Sequence, residues 1–210
     1  MKDPIEFYFD FISPFGYLGS IAIERVAAKH GRAVDWRPIL LGVTVLNIMG
    51  MKPLPQTPLK GPWLERDLER LSSLLDIPIR KHELSGVNSL AAARAFLWIK
   101  ARDPLLAKRF AQAIFARLWL HGEDITPVAA VIAEAGILGV DAGELGQALQ
   151  TPVAKVALND CVAAAVEKGV FGAPFFIADG ESFFGNDHLW MLEHWLEHGH
   201  FRASGVARLP

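Results

Sequence analysis

The sequence has very few of the residues that carry redox chemistry. It contains one cysteine, Cys161, among 210 residues. A single cysteine cannot form an internal disulfide, a Cys-x-x-Cys redox pair or a cysteine-based zinc site. Dithiol redox chemistry within the chain is therefore excluded, and nothing marks the protein for an oxidising compartment.

Long apolar runs and an excess of positive charge are also missing. No stretch approaches the roughly 18 uninterrupted apolar residues of a membrane span, and the N-terminus does not have the pattern of a signal peptide. Lysine and arginine number 21 against 23 aspartate and glutamate, with no basic run. We therefore expect no membrane and no nucleic-acid partner. The cytoplasm is the default location, and an organellar address stays open.

Apolar residues, in contrast, are plentiful, and they first appear as an aromatic strand. Residues 5–11 alternate, with phenylalanine and isoleucine on one face, which predicts a strand. Ser13-Pro14 then supplies a capping serine and a proline at the first position of a helix that ends at Gly31. Residues 34–41 predict a second strand. A strand-helix-strand unit of this kind predicts two parallel strands.

The middle of the chain is a long loop followed by helices. Residues 42–60 contain two glycines and three prolines, and loops of this length are usually functional or mobile. Residues 61–150 predict only helices, because capping residues and helix-starting prolines recur along them. The predicted helix starts are Pro62-Trp63, Asn88 or Ser89, Asp103-Pro104, Thr126-Pro127 and Asp141.

The C-terminal part returns to mixed structure. A helix over 153–168 leads to a strand from Pro174, and Asp179-Gly180 predicts a two-residue hairpin turn with positive φ. A returning strand over 181–184 precedes a final helix, which we expect Asn186 to cap.

This order of elements predicts the α/β class, as a thioredoxin-like fold with a large all-helical insertion. We place the thioredoxin-like domain at residues 1–45 and 152–210, and the inserted loop and helical domain at residues 46–151. The length of the chain fits one domain carrying an insertion.

Ser13 is the first candidate for chemistry. It stands where a strand ends and a helix begins, so its hydroxyl and the first free backbone N–H groups point to the same place. The start of a helix favours an exposed anion by roughly 0.3–1 kcal/mol, and a thiolate held there has a pKa below its free value of about 8.5. Ser13 is therefore either a simple helix cap or a hydrogen-bond donor to a borrowed thiolate.

A plain structural role is available at three other candidate places. The Ala173-Pro174 bond precedes a strand and, on sequence alone, is trans far more often than cis. Asn186 and Asp187 form either a plain cap or a site for the carboxylate and ammonium of an amino-acid end. Lys60 closes the long loop and, taken alone, is a surface cation.

The other reactive side chains favour structural roles. Cys161 falls on the apolar stripe of its helix, which indicates a core thiol. His194 and His198 are four residues apart and could share a metal, but the glutamates beside them indicate a solvated helix face, so we predict no metal site. The absence of a Gly-x-Ser-x-Gly motif around Ser13 argues against a serine hydrolase.

Three segments in combination resemble a known group of enzymes. They are residues 7–18, with the sequence FYFDFISPFGYL; KGPW at 60–63 with Asp67 and Arg70; and GVFGAP at 169–174 with GND at 185–187. Together they are similar to the 2-hydroxychromene-2-carboxylate isomerases and the kappa-class glutathione transferases. The resemblance covers nearly the whole chain and implies a DsbA-like thioredoxin fold.

The resemblance also implies glutathione as cofactor, a small-molecule substrate and a homodimer. By matching position, Ser13 would face the glutathione sulfur and act as the catalytic residue. The other implied cofactor contacts are Lys60, Ala173, Pro174, Asn186 and Asp187; Ala173 would pair with the peptide backbone, and Asn186 and Asp187 would hold the γ-glutamyl end.

On the substrate side, the resemblance implies Asn88 and the position of Met51. Many relatives have asparagine before the Lys-Pro or Arg-Pro pair of the long loop, whereas this chain has Met51 before Lys52-Pro53. A polar contact is thereby lost, which bears on the choice of substrate and on the affinity for glutathione.

The leading hypothesis is a glutathione-dependent isomerase of 2-hydroxychromene-2-carboxylate or a similar ketoacid of aromatic degradation. In that chemistry a thiolate adds reversibly to a double bond, rotation follows, and elimination releases the isomer. Two alternatives stay open: a kappa-like glutathione transferase that conjugates electrophiles, and a non-catalytic thioredoxin-fold binding module.

Overall fold

The computed structural model describes residues 2–80 and 86–202. Its sheet has four strands in the order β2-β1-β3-β4. Strand β1 is parallel to β2 and antiparallel to β3, which pairs antiparallel with β4. The predicted parallel pair is confirmed. The strands are β1 Ile5–Phe9, β2 Val34–Pro38, β3 Phe175–Ala178 and β4 Glu181–Phe184.

Helices make up most of the remaining described residues, and those between β2 and β3 confirm the predicted helical insertion. No described helix is long and apolar enough to cross a membrane. The α-helices are α1 Pro14–Lys29, α2 Lys60–Leu75, α3 Leu90–Lys100, α4 Pro104–Trp119, α5 Val128–Ile137, α6 Ala142–Gln150, α7 Pro152–Glu167 and α8 Leu189–His198.

The region after β2 differs from the prediction. The strand ends at Pro38 instead of continuing to residue 41, and the N–H of Leu41 turns to the Asp10 carboxylate at 2.8 Å. The loop predicted over residues 42–60 contains a π-helical segment, Gly42–Ile48, and a short 3₁₀ turn, Leu54–Gln56. Glycine and proline counts do not reveal such segments.

Strand β1 lies at the centre of the core because its rings contact both the sheet and the insertion. Phe9 has no exposed surface. Its ring centroid lies 5.5 Å from Trp36 of β2, 5.3 Å from Phe96 of α3 and 5.6 Å from Phe115 of α4. One apolar cluster therefore extends across the predicted boundary between the thioredoxin-like part and the inserted part.

An ion pair between a buried arginine and a partly exposed aspartate stabilises the β3–β4 hairpin. The Arg32 side chain is 1% exposed and binds both carboxylate oxygens of Asp179, at 2.8 and 2.9 Å, while its Nε donates to the backbone oxygen of Asp3 at 2.7 Å. Asp179 and Gly180 both have positive φ, as the turn prediction required. The hairpin is thus tied to the chain start and to the end of α1.

The ion pair predicts a pH-dependent loss of stability. The hydrogen bond from Arg32 lowers the pKa of Asp179 below its usual 3.8. A lowered folded-state pKa stabilises the fold above about pH 4, and this stabilisation disappears as the pH falls through the folded-state value. Urea unfolding should therefore show Asp179→Asn to be less stable than wild type at neutral pH, with the gap closing below about pH 4.

The matched control for that series is Asp160→Asn. Asp160 is an exposed carboxylate on α7 with no ion pair among residues 2–80 and 86–202. Its unfolding free energy should follow wild type at every pH. A gap between wild type and Asp179→Asn that stays constant from neutral to acidic pH would contradict the prediction.

Candidate functional site

Ser13 links the start of α1 to the segment before β3. Its Oγ accepts a hydrogen bond from the Gly16 N–H at 3.0 Å, which confirms the predicted helix cap. The same hydroxyl donates to the backbone oxygen of Ala173 at 3.1 Å. The side chain is nearly buried. The hydroxyl therefore does more than cap the helix.

The Ala173-Pro174 peptide bond is cis. The Pro174 oxygen accepts from the Gly185 N–H at 3.0 Å, which joins this segment to the end of β4. The Ala173 N–H has no hydrogen-bond acceptor among the described residues. Ala173 therefore gives its carbonyl to Ser13 and leaves a backbone donor without a partner beside it.

A second unpaired donor lies in the first turn of α1. Within the described ranges, no acceptor is bound by the Phe15 N–H. The first N–H groups of a helix carry partial positive charge and have no partner inside the helix. The Phe15 N–H and the Ser13 hydroxyl therefore form a place suited to a small anion.

Asn186 lies between α1 and the turn after β4. Its Nδ2 donates to the Phe15 backbone oxygen at 3.0 Å. Its Oδ1 is buried and has no partner in the described part of the chain. The predicted capping role is wrong: a 3₁₀ turn, Asn186–His188, precedes α8, and the Asn186 side chain makes no capping bond. The side chain instead holds the first turn of α1.

Asp187, the other member of that predicted pair, faces solvent. Its side chain is 76% exposed, and its Oδ1 lies 3.5 Å from Nδ1 of His188. It folds back over Gly185, which has a φ of 89° and where a Cβ atom would collide with the carboxylate. Of the pair, Asp187 has the more exposed side chain, and the predicted contact of both residues with the cofactor stays a prediction.

Two glycines let the other elements approach α1 closely. A Cβ on Gly16 would lie 3.2 Å from the Asp10 backbone oxygen. A Cβ on Gly19 would lie 2.8 Å from Cβ of Pro174 and 3.0 Å from Oδ1 of Asn186. Sequence reasoning missed both, although glycine inside a helix costs about 1 kcal/mol relative to alanine and so calls for a packing reason.

Gly19→Ala should destabilise the fold by about 1–3 kcal/mol, because the new methyl group would displace Pro174 and Asn186. Chemical denaturation measures this change. The control is Gly136→Ala in α5, where a Cβ meets nothing within 4 Å. That substitution should be neutral or stabilising by up to about 1 kcal/mol. Equal unfolding free energies for the two variants would contradict the prediction.

Asp10 is a buried group that sequence reasoning missed. It is 1% exposed and accepts hydrogen bonds from Ser89 Oγ at 2.6 Å, from the Leu41 N–H at 2.8 Å and from the Ile12 N–H at 3.3 Å. Burial raises the pKa of Asp10, and these hydrogen bonds oppose the rise. In the sequence, Asp10 falls on the polar face of the strand predicted over residues 5–11, and nothing there indicates that it is buried.

Asn88 lies beside this cluster at the start of α3. Its N–H donates to Thr126 Oγ1 at 2.9 Å, and its Oδ1 accepts from the Leu90 N–H at 3.3 Å. The side chain is half-buried. Because its neighbour Ser89 binds Asp10, the structure brings Asn88 to the same end of β1 as Ser13. Its substrate contact stays a prediction.

Lys60 and Met51 are joined to the Ser13 group by no hydrogen bond in the described residues. Lys60 is exposed at the first position of α2, a helix that packs against α1. Met51 is half-exposed in the long loop. Large exposed apolar side chains surround both positions along the chain: Leu46, Ile48, Met49, Leu54, Leu59 and Trp63.

The remaining reactive side chains have structural surroundings. The Cys161 thiol contacts the Pro38 backbone oxygen at 3.5 Å, and burial raises the pKa of that thiol, which keeps it protonated. His194 and His198 stack on each other with ring centroids 4.2 Å apart. The described residues contain no group of three or more potential metal ligands.

Comparison with known proteins identifies the family. Residues 4–197 match the family described as DSBA-like thioredoxin domain. Because the match spans most of the chain, the protein belongs to this family, and the predicted thioredoxin-like fold is confirmed.

Within the family, the chain groups with two kinds of enzyme. It is 29% identical to 2-hydroxychromene-2-carboxylate isomerase of Sphingobium xenophagum, covering 93% of this chain and 99% of that one. It is 30% identical to glutathione S-transferase kappa 1 of Homo sapiens, covering 91% and 90%. A solved structure of 2-hydroxychromene-2-carboxylate isomerase superposes with a TM-score of 0.80 at 26% identity, covering 92% and 94%. The predicted resemblance is confirmed.

Proposed function

We propose that the protein is a glutathione-dependent isomerase of 2-hydroxychromene-2-carboxylate or of a similar ketoacid from aromatic degradation. The observation that carries the proposal is the convergence of the Ser13 hydroxyl and the unpaired Phe15 N–H beside the cis-proline segment. The similarity to an isomerase over 93% of the chain supports the same reaction class.

The residues around Ser13 fit a peptide thiol that carries a free amino-acid end. The unpaired N–H of Ala173 suits the backbone of an extended peptide, and the Ser13 hydroxyl with the Phe15 N–H suits its sulfur. The exposed carboxylate of Asp187 suits the ammonium group. Asn186 supports the site indirectly in this proposal, since both of its side-chain polar atoms are turned inward.

Glutathione, when bound, supplies a thiolate nucleophile that adds reversibly to a conjugated double bond. The protein's part is to favour the thiolate form. Ser13 would turn its hydroxyl proton from the Ala173 oxygen to the sulfur, while the start of α1 contributes partial positive charge. Both effects lower the pKa of a thiol held there, and Ser13 itself stays protonated.

The substrate side of the proposed site combines apolar surface with one cation. Exposed side chains such as Met51, Leu54 and Trp63 suit an aromatic ring. Lys60, which the resemblance implies as a cofactor contact, has no ion pair among the described residues and suits a carboxylate of glutathione or of the substrate beside it. Asn88 would supply a polar contact from α3. With Met51 in place of asparagine, the substrate side of the proposed site favours apolar substrate groups over polar ones.

We also propose that the protein works as a homodimer in the cytoplasm and acts in aromatic catabolism, as the resemblance implies. Sedimentation equilibrium of the full chain gives the oligomeric state. A monomer at micromolar concentration would contradict the dimer without bearing on the chemistry at Ser13.

The isomerase proposal is tested by mixing purified protein, glutathione and 2-hydroxychromene-2-carboxylate and recording the ultraviolet spectrum. We expect a spectral change that requires both the protein and glutathione. S-methylglutathione is the matched control, because it keeps the peptide and blocks the sulfur. A folded protein that gives no glutathione-dependent change would contradict the proposal.

The kappa-class relative supports a second candidate, a transferase that conjugates glutathione to electrophiles. Conjugation of a halonitroarene without isomerisation of the chromene acid would favour the transferase. A non-catalytic binding module predicts neither activity, no heat of glutathione binding in calorimetry, and a protein partner in pulldowns.

A further inference from the structure

The buried carboxylate of Asp10 forms hydrogen bonds to three segments of the chain, at Ile12, Leu41 and Ser89. Asp10 follows β1, and its two carboxylate oxygens reach Ser89 at the start of α3 and Leu41 at the start of the long loop. Ser89 and Asp10 are 79 positions apart in the sequence. The carboxylate therefore connects the end of β1 with the segment that follows β2 and, through Ser89, with the helical insertion.

The same residue supports Ser13 through its backbone. The Asp10 oxygen accepts from the Ser13 N–H at 3.0 Å, and the Ile12 N–H between them donates to Asp10 Oδ1. The turn that ends in Ser13 is thus held by both the backbone oxygen and the side chain of Asp10. Any shift of Asp10 would move the hydroxyl that faces Ala173.

Burying a carboxylate is expensive, and stability alone is a weak reason to keep one. When both partners of a buried hydrogen bond are replaced by apolar groups of the same shape, the cost to stability is often small. Buried polar networks instead restrict a structure to one arrangement when all members are bonded. Asp10 fits the second case, because it is almost fully buried and has partners on three segments.

We propose that Asp10 is a positioning residue, which through Ser89 fixes the substrate-side insertion in place relative to the sulfur-side turn of Ser13. This inference rests on the proposed function. Glutathione contacts would come from Ser13, Ala173 and Asp187, which need no help from α3. The organic substrate would meet Asn88, the neighbour of Ser89, so its alignment with the sulfur depends on the bond between Asp10 and Ser89, whereas Ser13 is held by the Asp10 backbone.

This separation gives a kinetic signature. A misplacement of about 1 Å in a reacting pair costs on the order of 100-fold in rate. Ser89→Ala should therefore lower kcat/KM for the organic substrate by about 10- to 100-fold. The dissociation constant for glutathione, measured by calorimetry, should stay within about twofold of wild type. Ser89→Thr keeps a hydroxyl donor and should restore the rate.

Asp10→Asn tests the other partner of the bond. An amide presents an N–H₂ group to one of the present donors, so at least one hydrogen bond is lost. If the two residues act as a unit, Ser89→Ala should have little further effect on kcat/KM in the Asp10→Asn background. Ser89→Ala alone still tests the inference if Asp10→Asn does not fold.

Asp179→Asn is the matched control. It also removes the charge of a carboxylate that binds another part of the chain, but it lies in the β3–β4 turn and touches none of the site residues. Its kcat/KM should equal that of wild type. The inference is overturned if Ser89→Ala behaves like Asp179→Asn, or if glutathione affinity falls in parallel with kcat/KM.

Failure of the proposed function gives a different result. In that case wild type itself shows neither glutathione binding nor turnover. Crystal structures of wild type and Ser89→Ala then test the inference directly, through the separation of Ser13 and Asn88. A change of about 1 Å supports it, on the scale at which alignment matters, and an unchanged separation overturns it.

Discussion

Ser13→Ala should lower glutathione-dependent turnover by about 10- to 150-fold, because a hydrogen bond to a charged group contributes roughly 1.5–3 kcal/mol and its loss lowers the fraction of thiolate. In wild type the hydroxyl proton reaches the Ala173 oxygen at 3.1 Å, and the proposed role turns that proton to the sulfur. The variant keeps the partial positive charge at the start of α1 and the Phe15 N–H. It loses the Ser13 hydroxyl, which is the proposed donor to the sulfur. The pKa of bound glutathione, followed by thiolate absorbance, should rise accordingly.

The control for this prediction is Ser20→Ala in the same helix. Ser20 is 1% exposed, like Ser13 nearly buried, but its hydroxyl donates to the Tyr17 oxygen at 2.7 Å within α1. Its kinetics should match wild type. Loss of the Ser13 cap costs about 1 kcal/mol of stability, so unfolding is measured alongside. A Ser13→Ala variant with unchanged kcat/KM would remove the basis of the proposed function.

Phe9→Ala should destabilise the protein by about 3–5 kcal/mol, the range for removing a fully buried phenylalanine ring. The ring contacts Trp36 on one side and Phe96 and Phe115 of the insertion on the other. Both parts should therefore lose stability together, in one cooperative transition. Far-ultraviolet circular dichroism and tryptophan fluorescence, recorded during denaturation, should give coincident curves for wild type and variant.

Phe201→Ala makes the same change at a ring that is 47% exposed. It should cost clearly less, because less apolar surface is lost from a buried place. Two separate transitions in wild type would show that the insertion unfolds on its own. That result would contradict the shared core and favour independent domains at residues 1–45 with 152–210 and at 46–151.

Local patterns in the sequence predicted most of the fold correctly. Ser13-Pro14 fixes the start of α1 because a serine cap and a first-turn proline are local requirements. Asp103 caps α4 and Asp141 caps α6, as predicted, through hydrogen bonds to their own helices. Asp179-Gly180 fixes the hairpin for a similar reason. These features depend on neighbours a few residues away.

The parts that sequence reasoning missed depend on distant contacts. In the predicted strand over residues 5–11, Asp10 falls on the polar face, and its bonds to Ser89 and Leu41 become apparent only in the folded structure. Asn186 has the residue type of a cap, but its amide is drawn to the Phe15 oxygen, 171 positions earlier. The roles of Gly16 and Gly19 likewise follow from what packs against them.

The candidate site was predictable to a lesser extent than the fold. The pattern of residues indicated Ser13, the family resemblance added Ala173, and the structure joins the two by a hydrogen bond. The sequence did not distinguish Asp187, whose side chain is exposed, from Asn186, whose side-chain amide bonds to the Phe15 oxygen. The contributions of Lys60, Asn88 and Met51 stay predictions, because hydrogen bonds in the described residues do not tie them to Ser13.

The close packing at Gly16 and Gly19 has a consequence for how such an enzyme can change its substrate. The hydrogen-bond partners of Ser13 are backbone groups: the Gly16 amide, the Ala173 carbonyl and the Asp10 carbonyl. Mutation alters side chains and leaves peptide groups in place, so the sulfur half of the site offers little to vary. New specificities would have to arise across from it, in the long loop and the first turns of α2 and α3.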